Sequence, residues 1–259
     1  MTDSRIKISP NAFTLLEMMV SLAVLVILIT LAVQVGDAVF SEIDTQQRGF
    51  DTVSESQALF DRMATDLSSR IADTNIPAVM ASANSSLAFA SDVRGPASSA
   101  LDHRYSVVTY CISGNTVTRG LKNILLSSAQ PLQDSIDAVN GVASADINDV
   151  MATNVVGFSI CYLMKDGTIT NSLPPNTPFG GTTTNTPSAV IVTVALLDTK
   201  TALMLSSRGI VYPSLSPWGP STSLPLESWL ATLNTSWVMG PLVAARDKVR
   251  FYQKTLRTE

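Results

Sequence analysis

From Ala12 to Val35 the sequence reads AFTLLEMMVSLAVLVILITLAVQV, an apolar run that carries a single acid, Glu17. Between Phe13 and Val35 the only other strongly polar side chain is Gln34, since Thr14, Ser21 and Thr30 can bond to a helix's own backbone. As an α-helix this run reaches about 34 Å at 1.5 Å per residue, enough for a hydrocarbon core of about 30 Å. A short polar head, Met1 to Asn11, sets Arg5 and Lys7 against Asp3. A basic flank of this kind predicts an N-terminus held in the cytoplasm and an exported C-terminal side. The residues alone admit a second reading: Gly36-Asp37-Ala38 resembles a small-x-small cleavage site, which would release a secreted protein cut after Ala38.

The helical pattern continues past the apolar run. No proline occurs from Ala38 to Ile71, and only Gly49 interrupts. Val39, Ile43, Phe50, Val53, Phe60, Ala64, Leu67 and Ile71, with Gln46 and Gln57, recur at three-four spacing and predict one buried stripe. Glu42, Asp44, Arg48, Asp51, Glu55, Asp61, Arg62 and Asp66 are assigned to a solvated face. Asp73 to Pro77 ends the helix. The resulting division is a leader over 1–12, a transmembrane half-helix over 13–36, an amphipathic half-helix over 37–73 and a β-rich head over 74–259.

Within the head the pattern changes to period two with frequent turns. Ser86 to Ala90 reads as a short strand. Tyr105 to Ile112 turns at Ser113-Gly114-Asn115 into Thr116 to Arg119, the clearest hairpin. Val155 to Met164 is a second strand, followed by a Lys165-Asp166-Gly167 turn into Thr168 to Asn171. Ala189 to Asp198 is the most apolar strand and is expected at the centre of a sheet. Ala129 to Asp149, Ser172 to Pro187 and Pro213 to Ser236 read as loop regions, the first with a helical turn. Pro241 to Lys248 reads as a short helix, and Lys248 to Thr255 as a last strand. The expected fold is therefore α+β, a long N-terminal helix packed on a C-terminal antiparallel sheet.

Chemistry is sparse. A formal charge of −4 supplies no basic patch and argues against nucleic acid as a partner. The single histidine, His103, stands beside Asp102 and Arg104 with no nucleophile elbow anywhere, so no catalytic residue, cofactor site or metal site is assigned. Asp146 to Asp149 and Asp166-Gly167 could lend oxygens to calcium, but neither matches a dense Ca²⁺ loop. Cys111 and Cys161 each fall in an expected strand; a cross-strand disulfide and two free core thiols both fit. Trp218, Trp229 and Trp237 either mark a partner surface or anchor a long loop to the core.

Phe13-Thr14-Leu15-Leu16-Glu17, after a basic leader and before a membrane helix, resembles the class III signal of type IV pilins and type II secretion pseudopilins. The resemblance implies cleavage by a prepilin peptidase between Ala12 and Phe13, N-methylation of Phe13, and Glu17 as the acid used in assembly. Ala12 stands where that family usually has Gly. Further along, Phe60 to Met63, Tyr105 to Tyr110, Val155 to Phe158, Lys165-Asp166-Gly167, Val190 to Leu197 and Val249 to Thr255 follow in an order that resembles the C protein of the Verru_Chthon cassette, and the layout is similar to larger J-type minor pseudopilins. That implies a minor structural subunit and not an enzyme. Its partners would be prepilin peptidase and other pilins, and its place the inner membrane with a periplasmic head, then a pilus or pseudopilus filament. For Glu17 itself two readings remain, a carboxylate neutralised by a neighbouring subunit's terminal amine, or one that reaches back to the cytoplasmic interface. An anchored periplasmic enzyme or binding domain with an uncleaved signal is the functional alternative.

Overall fold

The apolar and amphipathic stretches fold as one helix, α1 (Leu15–Ser68), because nothing between them breaks the backbone ladder. The computed structural model describes residues 14–71, 85–93, 105–124, 147–171, 173, 186–211, 215, 225–237 and 241–257. The chain divides into two units, residues 1–47 and 48–259. The helix ends at Ser68, slightly earlier than the sequence pattern predicts, and the expected Asp73-to-Pro77 stop lies outside the described residues.

The second unit holds two four-stranded antiparallel sheets. The first has the order β1-β2-β3-β4 and is built from β1 (Ser86–Ser91), β2 (Tyr105–Ser113), β3 (Thr116–Ile124) and β4 (Ile147–Ala152). The second has the order β6-β5-β7-β8, from β5 (Val155–Met164), β6 (Ile169–Thr170), β7 (Pro187–Leu197) and β8 (Val249–Arg257). The expected β2–β3 hairpin is present, with Ser113 opposite Thr116 and Gly114 at φ 59°, a conformation glycine adopts without a Cβ penalty. Strand β7 is central, flanked by β5 and β8, as its unbroken apolar sequence predicts. Strand β4 instead starts inside a stretch that reads as loop; its polar Asn148 and Asp149 hide the period-two signal.

Both sheets and the second half of α1 share one core. Leu59, Phe60, Met63 and Leu67 of α1 meet Leu87 and Phe89 of β1 and Val108 and Tyr110 of β2, together with Phe158, Ile160, Val192 and Val194 of the second sheet. The buried positions of α1 (Thr52, Ser56, Leu59, Phe60, Met63, Asp66 and Leu67) lie roughly a quarter turn round from the stripe the sequence predicts. That stripe took its phase from Val39, Ile43 and Phe50, which are exposed, Phe50 by 70%. Asp66, assigned to the solvated face, is buried.

The second sheet is covered on its other face as well. Val156, Ala195, Leu197 and Val249 pack against three helices: α2 (Thr199–Ser207), α3 (Pro225–Ser236) and α4 (Pro241–Arg246). Neither α2 nor α3 is expected from the sequence reading. In α2, Asp198 is not the last strand residue but the N-cap, its Oδ1 accepting the Thr201 N–H at 2.9 Å. The helix closes on Gly209, at φ 65°, with Ile210 N–H bonded to the Leu205 carbonyl. In α3, a proline at the first position and Glu227 in the first turn are ordinary helix-start signals. They are masked by the Pro/Ser-rich flanks. Trp229 and Trp237 are buried anchors in this layer, while Trp218 lies outside the described residues.

Gly157 lets the α3 layer approach β5. A Cβ there would meet Leu215 Cβ at 3.1 Å and the Trp229 ring at 3.2 Å. Gly157→Ala should therefore lower stability by about 1–3 kcal/mol, the usual cost of overpacking a filled core. A thermal melt checks this, and an unchanged transition would show that the Trp229 ring can shift.

Candidate functional site

The first unit carries Glu17, the acid for which the sequence leaves two readings. Thr14 precedes the helix and caps it, its Oγ1 and carbonyl both accepting the Glu17 N–H, at 3.3 and 3.1 Å. Glu17 is thus the third residue of α1, in the first turn, where a carboxylate faces the positive end of the helix dipole. It is exposed, among exposed Leu15, Leu16, Met18 and Met19. Leu15–Phe40 is long and apolar enough to cross a membrane, and none of its most apolar window is buried. At 1.5 Å per residue it spans about 39 Å. The span runs four residues past the expected boundary at Gly36. Its hydroxyls are satisfied inside the helix, Ser21 donating to the Glu17 carbonyl and Thr30 to that of Val26, so they cost little in lipid. Ala12 and Phe13 lie outside the described residues.

The polar centre of the second unit is one that the sequence reading did not single out. Leu87, Tyr110, Arg119 and Asp149 stand directly opposite one another on β1, β2, β3 and β4, forming a row across the first sheet. Asp66 of α1 meets this row. Arg119 grips it with two hydrogen bonds, Nε to Oδ2 at 2.6 Å and Nη2 to Oδ1 at 3.0 Å, and the Tyr110 hydroxyl donates to Oδ2 at 2.5 Å. The Asp66 and Arg119 side chains are each only 1% exposed. Arg62 approaches Asp66 at 3.5 Å, and Asp149 approaches Arg119 at 3.6 Å. Burial pushes the Tyr110 hydroxyl well up, and the Asp66 charge pushes it further, so it stays a donor. Burial pulls the Arg119 guanidinium down, but the Asp66 bonds and charge outweigh it and the net direction is up. A signal was available. Val117, Arg119 and Leu121 alternate on the core side of β3, and Asp66 is three and seven residues from buried Met63 and Leu59.

Three further polar contacts join α1 to the sheets. The Thr52 and Tyr252 hydroxyls are 2.8 Å apart, Lys254 Nζ lies 2.8 Å from Asp61 Oδ1, and Glu55 Oε1 accepts from the Thr153 N–H and hydroxyl in the turn between β4 and β5. Among the described residues no group of three or more His, Cys, Asp or Glu is placed to hold a metal ion. Asp166 Oδ1 is engaged by the Thr168 N–H and hydroxyl, which hold the carboxyl below its usual range. Its role is that of a turn. Asp146 and His103 lie outside the described residues.

The cysteines are two free thiols, so the bridge alternative is corrected. Cys111 stands on β2 in the first sheet, 3.4 Å from the Thr118 hydroxyl, whereas Cys161 is buried on β5 in the second beside Ile191. Burial pushes the Cys161 thiol up to about 11 and the Cys111 thiol up as well. Since the thiolate is the reactive form, alkylation of the folded chain at pH 8 should be slow at both, that of Cys161 rising only as pH approaches 11. Unfolding without reductant should expose two reactive thiols by mass spectrometry; finding none would restore the bridge.

Comparison with known families agrees with the N-terminal geometry. The model of the prokaryotic N-terminal methylation motif matches residues 10–33, a stretch that contains Ala12, Phe13 and Glu17. The N-terminus is therefore of the prepilin type, on an α+β chain with one helix able to span a membrane. No curated protein matches the chain.

Proposed function

We propose that the chain is a minor pilin or pseudopilin. It enters the inner membrane with its N-terminus in the cytoplasm and is cut by prepilin peptidase between Ala12 and Phe13. N-methylated at Phe13, it then packs through α1 into a type IV pilus-like or type II secretion pseudopilus filament, with the β-rich head in the periplasm. The observation that carries this is the methylation-motif match over residues 10–33, which opens the exposed apolar half of α1. The order of motifs in the head supports a J-like subunit similar to the C protein of the Verru_Chthon cassette.

The mechanism is assembly, not turnover. A carboxylate near the middle of a membrane costs about 2.5–3.5 kcal/mol, less toward an end, and calls for a partner. Leu15 to Val35 contains no Lys or Arg to serve. A neighbouring subunit's methylated Phe13 amine has the right charge and would fix axial register while neutralising both groups. The apolar faces of Leu15 to Val35 then supply packing without a charged cost.

Mass spectrometry of the mature N-terminus tests the processing step. N-methyl-Phe13 is expected. A chain starting at Val39 would mean a cleaved secretory signal, and one starting at residue 1 or 2 a plain anchor, and either overturns the proposal. Glu17→Ala should insert at least as well as the parent chain, because the helix becomes more apolar, yet be lost from sheared filament fractions. Normal incorporation of that variant would remove Glu17 from the mechanism.

A further inference from the structure

Helix α1 begins at Leu15, two residues beyond the Ala12–Phe13 bond that the proposed processing cuts. Thr14 sets that start. Its carbonyl accepts from the Glu17 and Met18 N–H groups at 3.1 and 3.2 Å, and its Oγ1 accepts from Glu17 N–H at 3.3 Å. An α-helix bonds each N–H to the carbonyl four residues back, so Glu17 N–H is the donor that a longer helix would need for the carbonyl of residue 13. Held by Thr14 instead, this donor closes the backbone ladder at position 14, and the N–H groups of the turn that follows have no carbonyl within the helix to reach.

The preceding sequence would carry a helix further without that cap. Ser9-Pro10 is itself a start signal, a hydroxyl for the N-cap followed by proline for the first helical position, and Ala12 is the residue type that favours helix most. A helix begun at Ser9 would bond the Phe13 N–H to the Ser9 carbonyl and the Leu16 N–H to the Ala12 carbonyl. Both sides of the Ala12–Phe13 peptide would then be occupied. Hydrolysis adds water across this bond and leaves a carboxylate on Ala12 and an amine on Phe13. The Ala12 oxygen must be free to take the peptidase's hydrogen bonds as it gains charge, and the Phe13 nitrogen must be free to take a proton as it leaves. Glycine at position 12 would oppose the longer helix by itself, whereas alanine favours it. In this chain the task falls to Thr14.

We infer that Thr14 is a positioning residue for processing: as N-cap it holds the start of α1 on the C-terminal side of the Ala12–Phe13 bond and keeps that bond out of the helix, open to the peptidase. This role rests on the proposed cleavage and adds to it the residue that sets the substrate's conformation. What position 14 has to supply is a capping oxygen, not the threonine side chain as such.

The test follows cleavage of the full-length chain by prepilin peptidase in detergent micelles, as kcat/KM from the loss of the leader, beside amide hydrogen exchange at Leu16 in the uncut chain. Thr14→Val keeps the shape of the side chain and its helix propensity but removes the capping oxygen. It should lower kcat/KM by up to about fivefold, the usual effect of a lost cap on a helix-start equilibrium, and raise the protection of the Leu16 amide. Thr14→Ser and Thr14→Asn keep a capping oxygen and should be cut at least as fast as the parent chain. Ser9→Ala removes the rival start and should restore cleavage when combined with Thr14→Val. Undiminished cleavage of Thr14→Val overturns the role of Thr14 and leaves the processing itself standing. Slow cleavage of Thr14→Val with Leu16 protection unchanged, or without rescue by either Thr14→Asn or Ser9→Ala, overturns it too, because the peptidase would then be reading the threonine side chain directly. If the parent chain is not cut after Ala12, the processing proposal falls, and the role of Thr14 with it.

Discussion

A bidentate Arg–carboxylate bond in a dry core is the constraint on which the second unit turns. Arg119 and Asp66 are almost wholly excluded from water, and each would be costly alone; stripping one partner from such a pair typically costs about 3–5 kcal/mol. Apolar residues of equal volume would serve the hydrophobic core as well or better. What the pair adds is direction. The planar fork of the guanidinium accepts a carboxylate in few orientations, and Tyr110, directly opposite Arg119 on the neighbouring strand, narrows them further. The first sheet is thereby fastened to one point on α1. Around that point the second sheet closes the core, with Glu55 tied to the turn that joins the two sheets.

The second sheet explains itself by counting its faces. Strands β5 and β7 are apolar along nearly their whole length because one face meets the α1 core and the other meets α2, α3 and α4. A register shift between Val155 and Gly157 breaks the strict alternation, so that Val156 enters the second core although Phe158, two residues on, enters the first. Gly157 then leaves room for the Trp229 ring. The outer helical layer thus depends on the absence of one side chain in the strand beneath it.

Much of this was legible in the sequence, and the misses share a cause. Long elements with a clean period, such as β5, β7 and the run of α1, could be read because many residues repeat the same message. The β2–β3 turn was legible because Gly114 is demanded by its backbone. The second half of α1 was misphased because the apolar residues nearest the membrane, Val39, Ile43 and Phe50, belong to a different environment from Leu59 and Met63. Asp66 was misplaced for a related reason. A charged residue is read as solvated unless its partner is known, and Arg119 lies far away in sequence. The cysteines show the limit of the same reasoning, since their separation into two sheets is a property of topology and not of local pattern.

Two acids on α1 pose the same physical problem in different solvents. Asp66 sits in protein, and the chain supplies its counter-charge: a guanidinium delivered by a strand, a tyrosine hydroxyl beside it, and no water to compete. Glu17 sits in a stretch fit for lipid, on a segment with no basic residue from Leu15 to Val35. Its first-turn position gives it the favourable end of the helix dipole, worth about 0.3–1 kcal/mol, which is well short of the insertion cost. The remainder must come from outside that segment. The carboxylate can climb to the interface, or a cation can come to it from another chain. Glu17 is the third residue of the span, so the interface is close enough for the first option. The second draws on the exposed Leu15, Leu16, Met18 and Met19 beside it in sequence, which offer an incoming helix apolar surface. A partner that brought both its own apolar helix and a cation would answer the two needs together, which is the arrangement proposed for the filament.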